Sequence, residues 1–576
     1  METTRDALFV FRRAAIVAFL AMKTPFILSI AFIVSTGFIA AKAAPKTAAA
    51  ARAEKPPANS SAVHGWLDWR GPDQTGVTHE TGLPDKVDAK SALWTVDFPG
   101  QSAPVIANGK LFIMGYEGEG PDLQEGVACL DAETGKLLWK KLYNDFLSDT
   151  IYHRYATSSP SIDPETGNVY TQGAQGLLTA FTPDGKMLWQ HSMMEEFGRM
   201  TFPNARTASP MVDKDLVITR GITSAWGAHG AAGDRFYAFD KISGDLVWSS
   251  APGGRPQDNT FSHPWLSFHN GKRVLYSAAG DSTLIALNAR TGEPLWRTPI
   301  ARAGAKGGIN AAVIEHKGSI IVVHESENLD STEVGRMAAI RIPNEIKPEN
   351  RQTPQVFETK ELEQWRNPVG SLASSPVLVG DTVYEVSGTG ELVAVNANDG
   401  KVLWKKKLGI EQRQSSPLYA EGKLYIGMYI AAGNADKTQT EGESGGDGEF
   451  FVIKPGAKDC QILSRTLLNG KCFGSPVAYN GKLYMQTDRK LYCFGKKGNN
   501  KGLPAPVAAP NWPKPGPATQ LQITPYEVLL WPGDIATFRI RTLDANGFTV
   551  DDKVDPASVK WEPFIPPTAL VKVNMK

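Results

Sequence analysis

The chain has 576 residues, enough for several domains, and its 61 Lys and Arg against 60 Asp and Glu leave a formal charge of +1. Such an even balance creates no global field for nucleic acid or for an acidic membrane surface, so partners have to be read from local features. Nine histidines are scattered singly, and no H-E-x-x-H, C-x-x-C-H or G-x-x-x-x-G-K motif occurs, so the common metal, haem and phosphate signatures are missing.

From Met22 the sequence reads as a secretory signal: Lys23, an apolar run, then Ala41-Lys42-Ala43 as a cleavage site, with no cysteine nearby to carry a lipid. Residues 1–43 are therefore expected to direct export to the periplasm or beyond, a retained membrane anchor being the alternative. An Ala-, Pro- and Lys-rich linker occupies 44–64, a composition that does not fold. "HGWLDWRGPDQTGV" then brings two tryptophans close together, Trp66 and Trp69.

Residues 65–498 repeat one pattern. A tryptophan closes a turn and strand in "VACLDAETGKLLW", "LTAFTPDGKMLW", "FYAFDKISGDLVW", "LIALNARTGEPLW" and "LVAVNANDGKVLW", with a degenerate copy ending at Trp365. In phase with it, a small residue and a proline open an apolar run, a Gly or Asp turn and a second apolar run, as in "SSPSIDPETGNVYTQG" and "SSPVLVGDTVYEVSG". Each unit thus holds four short strand candidates joined by Gly, Asn and Asp turns. Repeated in this way, such a unit predicts a propeller, since one sheet cannot bury both faces but a ring of them can. Eight copies of this signal, one of them degenerate, predict an all-β, eight-bladed β-propeller, with seven blades as the alternative should the copy around Trp365 be an insertion. The last unit lacks its tryptophan strand, and "SALWTVDF" with Trp94 supplies one from the N-terminus, which would close the ring and remove its open edges. Trp66 and Trp69 are then expected as a lid packed on the propeller rim rather than as an aromatic ligand clamp.

The motif Ala286, Asn288, Thr291, Gly292, Trp296 resembles the tryptophan-docking repeat of the pyrroloquinoline quinone (PQQ)-like propellers. That family includes quinoprotein dehydrogenases and non-enzymatic propellers such as the lipoprotein of the outer-membrane barrel-assembly machinery, so the resemblance implies the fold and leaves the function open. Its PQQ-dependent alcohol dehydrogenases carry a vicinal disulfide beside the cofactor, and no two cysteines are adjacent here. Cys129 and Cys493 occupy the repeat's alanine position and are expected as small buried residues, while Cys460 and Cys472 are left open as a disulfide pair.

A proline-rich spacer covers 499–518, and 519–576 reads as strands similar to bacterial immunoglobulin-like modules. That length falls short of the ~100 residues such a sandwich uses, so the segment is expected to be minimal or incomplete.

Loop lengths separate two faces of the ring. First and third turns are tight throughout, as in "HNGK" and "NANDGK", whereas second turns and crossovers are long, as in "TSAWGAHGAAGDR" and "NDFLSDTIYHRYAT". Binding is expected on the long-loop face. The crossovers would bring His153, Arg154, Arg206, His263, Asn310 and Arg413 to the mouth of the central channel. The arginines suit an anionic ligand or an acidic partner segment, or else they seal the channel on neighbouring carbonyls. "HES" at His324 to Ser326 reads as solvated loop. No catalytic or metal-binding residue is assigned. The expectation is a monomeric, exported, non-catalytic propeller that holds a protein or envelope polymer. The alternative is an oxidoreductase with PQQ and calcium, for which the resemblance implies Glu, Asn and Asp calcium ligands that no positions here identify.

Overall fold

The computed structural model describes residues 63, 65–145, 155–197, 207–223, 233–302, 309–429, 447–498 and 510–560. Strands dominate them, with one short α-helical turn at Thr359–Leu362 and three 3-10 turns. The repeat units fold as a succession of four-stranded antiparallel sheets, a β-propeller arrangement in which the proline strand takes one edge and the tryptophan strand the other. In the first, Val105–Ala107, Lys110–Glu117, Gln124–Asp131 and Leu137–Asn144 run in that order from the inner edge outward.

Each tryptophan explains its motif. Ala238 is the cross-strand partner of Trp248, Ala286 of Trp296, and the two cysteines take the same place, Cys129 opposite Trp139 and Cys493 opposite Trp94. A small side chain there leaves room for the indole. On its other side the indole seats on the glycine turn of the next unit: a Cβ at Gly292 would lie 2.6 Å from the ring of Trp248, and Gly292 has φ +73°. Glycine is therefore required twice, by the left-handed backbone and by the close approach. The Trp248 indole also donates to the Ala289 carbonyl at 3.1 Å, so its polar edge is satisfied while it is 1% exposed.

The degenerate copy is a full sheet, Ile314–His316, Ser319–Glu327, Val334–Arg341 and Glu363–Asn367. It lacks the Thr-Gly turn, and residues 342–362 replace it, sending Gln355–Val356 back as a parallel fifth strand beside Pro294–Pro299. Trp296 consequently meets Phe357 edge-on at 6.4 Å instead of a glycine. Trp94–Asp97 pairs antiparallel with Lys490–Phe494 and completes the last sheet, as its sequence predicts.

The serines of the proline signal bind one unit to the next. Ala103 N donates to Ser159 Oγ at 2.9 Å, Ser159 N to Ser209 Oγ at 2.8 Å, Ala312 N to Ser375 Oγ at 2.8 Å, Ser375 N to Ser416 Oγ at 2.9 Å and Ser416 N to Ser475 Oγ at 3.0 Å. Inner strands diverge from their neighbours, and a hydroxyl spans the gap that a backbone ladder cannot.

All four cysteines are buried and free, so Cys460 and Cys472 do not pair. At the C-terminus, Ala518–Thr524, Arg539–Asp544 and Thr549–Asp551 form a three-stranded sheet. It docks on first and third turns of the third and fourth units: Lys272 donates to the Ala545 carbonyl at 2.8 Å, Asn288 to the Asn546 carbonyl at 2.9 Å, and Arg539 pairs with Asp240 at 3.2 Å. The spacer is not merely extended. Its Trp512 packs against Phe268 at 5.2 Å with Lys214 over the ring at 4.7 Å.

Trp248→Ala should cost about 3–5 kcal/mol, read as a lowered denaturant midpoint, because it empties a site between two rigid sheets. Deleting residues 91–98 should open a strand edge and give aggregation; a deletion variant with the full thermal transition would contradict ring closure.

Candidate functional site

The middle of the ring is filled by the chain's own N-terminal segment. Gly65–Trp66 pairs with Val105–Ala107, and Leu67 accepts a hydrogen bond from Ile162 N at 2.9 Å. The chain then reverses: Gly71 N donates to the Asp68 carbonyl at 2.9 Å and Gly76 N to the Arg70 carbonyl at 2.8 Å. On the return limb Gln74 Oε1 accepts from Leu266 N at 3.0 Å, Tyr419 N donates to the Gly76 carbonyl and Thr78 N to the Tyr419 carbonyl, both at 2.9 Å. Glu80 finally takes the amides of Asn480 and Gly481 at 2.9 and 3.0 Å. Only a segment inside the channel can reach inner strands from so many units. The expected rim lid is therefore a plug, because the inner strands leave unpaired backbone that an inserted chain can satisfy.

Its tip is charged. Arg70, 2% exposed, donates to the Pro376 carbonyl at 2.7 Å and the Thr75 carbonyl at 3.2 Å. Asp68 lies 2.8 Å from His263 Nε2, and Trp69 meets the same imidazole edge-on at 5.4 Å. Desolvation lowers the Arg70 guanidinium to about 10, with Glu385 and Asp68 pulling the other way. Glu385 is fully buried, and desolvation pushes its carboxyl up to about 8, against the hydroxyls of Ser374 and Ser371 and the charge of Arg70. Glu125 rises to about 8 for the same first reason, although it accepts the amides of Ala174 and Ala156 at 2.9 and 3.0 Å. Burial, then the charge of Arg336, lowers His324 to about 4; it is 1% exposed and not solvated loop.

Of the residues expected at the channel mouth, His153, Arg154 and Arg206 lie outside the described residues. His263 is committed to the plug through Asp68. Asn310 is 2% exposed. Arg413 pairs with Glu411 at 3.1 Å. Sequence reasoning missed Asp68, Arg70 and Glu385. The only signal in the chain was a pair of opposite charges flanking Trp69 in a segment otherwise suited to packing.

These residues do not fit PQQ and calcium. The cation at the ring's centre, Arg70, is already held by two carbonyls and is not free to meet an anionic quinone. Among the described residues no three His, Cys, Asp or Glu side chains gather as a metal-ligand group.

The family model described as "Outer membrane protein assembly factor BamB" matches residues 86–233, 124–361 and 355–445. The protein of that name from Burkholderia pseudomallei (strain K96243) is 26% identical over 200 residues, 34% of this chain and 42% of that one. The Yersinia pestis protein of that name is 22% identical over 246 residues, 42% of this chain and 55% of that one. The matches thus span about half the length of these relatives. The crystal structure of quinohemoprotein alcohol dehydrogenase from Comamonas testosteroni is similar in fold, with a TM-score of 0.50 and 13% identity over 82% of this chain and 83% of that one.

Glu385 sets a pH dependence. Its carboxyl ionises near 4.5 in the unfolded chain and near 8 when buried, so between these values the folded state holds the extra proton and loses stability as pH rises. Glu385→Gln should flatten part of the fall in melting temperature between pH 5 and pH 8, the remainder belonging to groups such as Glu125. An unchanged slope would show that Glu385 is ionised in the fold.

Proposed function

The chain belongs to the family described as outer membrane protein assembly factor BamB, and from that premise we propose that it is an exported, non-catalytic, eight-bladed propeller holding a protein or an envelope polymer on its long-loop face. One observation carries the reading: the channel, the natural concavity of a ring, is filled by residues 65–80, whose polar groups are spent on the inner strands. What remains for a partner is the surface.

The two faces differ in a way that supports the choice. The C-terminal sheet covers first and third turns of two units, and the N-terminal segment begins beside the first turn of the second unit, where Val63 N donates to the Pro164 carbonyl at 3.0 Å. Second turns and crossovers carry the length variation, including the sequence 430–446. A partner of the size and irregularity of a protein or polymer suits long loops on a rigid scaffold. His153, Arg154, Arg206 and Arg413 belong to this face in our reading, where they would give partner affinity a salt dependence. The same reading sets the domain limits: an export signal over 1–43, a linker over 44–64, the propeller over 65–498, a spacer over 499–518 and an immunoglobulin-like segment over 519–576. The names of the relatives concern the assembly of outer membrane proteins, which agrees with export.

Photo-crosslinking tests this in the producing cell. A crosslinker at Pro121, in a second turn, should capture a defined partner, while one at Lys136, in a third turn, should not. Replacing 430–446 by a short Gly-Ser linker should weaken capture about tenfold or more with the melting temperature unchanged, since a loop that supplies contacts carries affinity and not stability. Equal capture from both faces would refute the reading. So would calorimetric PQQ binding in the presence of calcium.

A further inference from the structure

Seven of the seventeen large apolar side chains left exposed among the described residues belong to 510–560: Leu521, Tyr526, Leu530, Trp531, Ile535, Phe538 and Val550. Five of them fall in one loop, between Ala518–Thr524 and Arg539–Asp544. Scattered exposure is ordinary, but such a concentration marks a surface that is covered in use.

The loop is built to present its tip. Trp531, Pro532, Gly533 and Asp534 make a closed turn: Asp534 N donates to the Trp531 carbonyl at 3.0 Å, Trp531 N donates to the Asp534 carboxylate at 2.8 Å, and Gly533 takes φ +100°. The turn holds Trp531 70% and Ile535 91% exposed. Both of its carboxylates have a partner, although Asp534 itself stays exposed. Asp534 is spent on the turn, and Glu527, 14% exposed, lies 4.0 Å from Arg235. The tip therefore offers apolar side chains around one exposed carboxylate, that of Asp534, whose hydrogen bond is made within the turn.

Two physical arguments choose the partner. A protein interface buries about 800 Å² on each side and carries a polar rim with about one hydrogen bond per 100–200 Å², whereas this tip is a single turn whose one exposed carboxylate already has its hydrogen bond inside the turn. Tryptophan and tyrosine beside bulky aliphatic side chains suit the boundary between lipid headgroups and acyl chains, where an aromatic ring has an apolar body and a polar edge to place. Among the described residues no helix is long and apolar enough to cross a membrane, and a surface contact needs none.

We propose that the turn 530–535 is a lipid-insertion point that seats the C-terminal module on a bilayer surface. Because that module is fixed to the propeller through Trp512, Arg539 and Lys272, the insertion also sets how the ring stands on the membrane.

The test is flotation of residues 44–576, which keep every described residue, with vesicles of phosphatidylethanolamine and phosphatidylglycerol. The wild type should float, and should still float in about 0.5 M salt, because the contact is apolar. Trp531→Ser combined with Ile535→Ser should reduce the floated fraction about tenfold with an unchanged melting temperature, the side chains being exposed in the free protein. Failure of the wild type to float, or equal flotation of the variant, overturns the proposal. So does light scattering that shows a lipid-free dimer of the wild type which the variant breaks, since a second copy would then be what covers the turn.

Discussion

Every sheet of this ring ends inward on a strand that has no neighbour of its own unit to pair with, and an unpaired strand edge buried in the middle of a protein is costly. The rest of the structure answers that constraint. Serine hydroxyls take amides across the gaps between units, as Ser416 does for Ser375. The N-terminal segment supplies backbone and side-chain partners where a hydroxyl cannot reach, with Leu67 on Ile162 and Gly76 on Tyr419. At the outer edges the problem is milder, because water can serve the backbone there, and the tryptophans solve a different one: they bury the flanks of adjacent sheets against each other.

This division decides how much of the fold was legible in the sequence. The tryptophan motif is local, since Asx, Gly and Trp lie within a dozen residues and each has its own conformational signature, so the propeller and the closing strand at Trp94 could be read directly. The serines were visible as a pattern, but their role was not, because each acts on an amide of the preceding unit, 41 to 63 residues away in the cases where they bridge. The plug was hidden for a stronger reason. Arg70 bonds a carbonyl 306 residues ahead, and Glu80 bonds amides 400 and 401 residues ahead. No periodicity spans such separations. Trp66 and Trp69 drew attention as packing residues, correctly, yet the channel interior was not foreseen as their place.

The candidate site was less legible than the fold. His263 was singled out because it ends a crossover just before an inner strand, and the structure gives it a role there: the ring has an imidazole where the plug brings Asp68. Glu385 gave no sequence signal, being one glutamate in an alternating strand, and only burial distinguishes it.

A plug with charges at its tip differs from one made of leucine. Burying Arg70 and Asp68 costs desolvation that apolar side chains would avoid, and the return comes from the directional bond of Arg70 to Pro376 and the charge contact of Asp68 with His263, which hold the hairpin to the ring. An apolar tip would tolerate sliding along the channel, whereas a carbonyl and an imidazole at fixed positions on the ring do not. The same contacts tie together units far apart around the ring, the fourth through His263 and the sixth through Pro376, so the plug constrains the circumference as well as the centre. A scaffold whose loops must hold a partner in one geometry needs that constraint more than it needs the stability an apolar core would add.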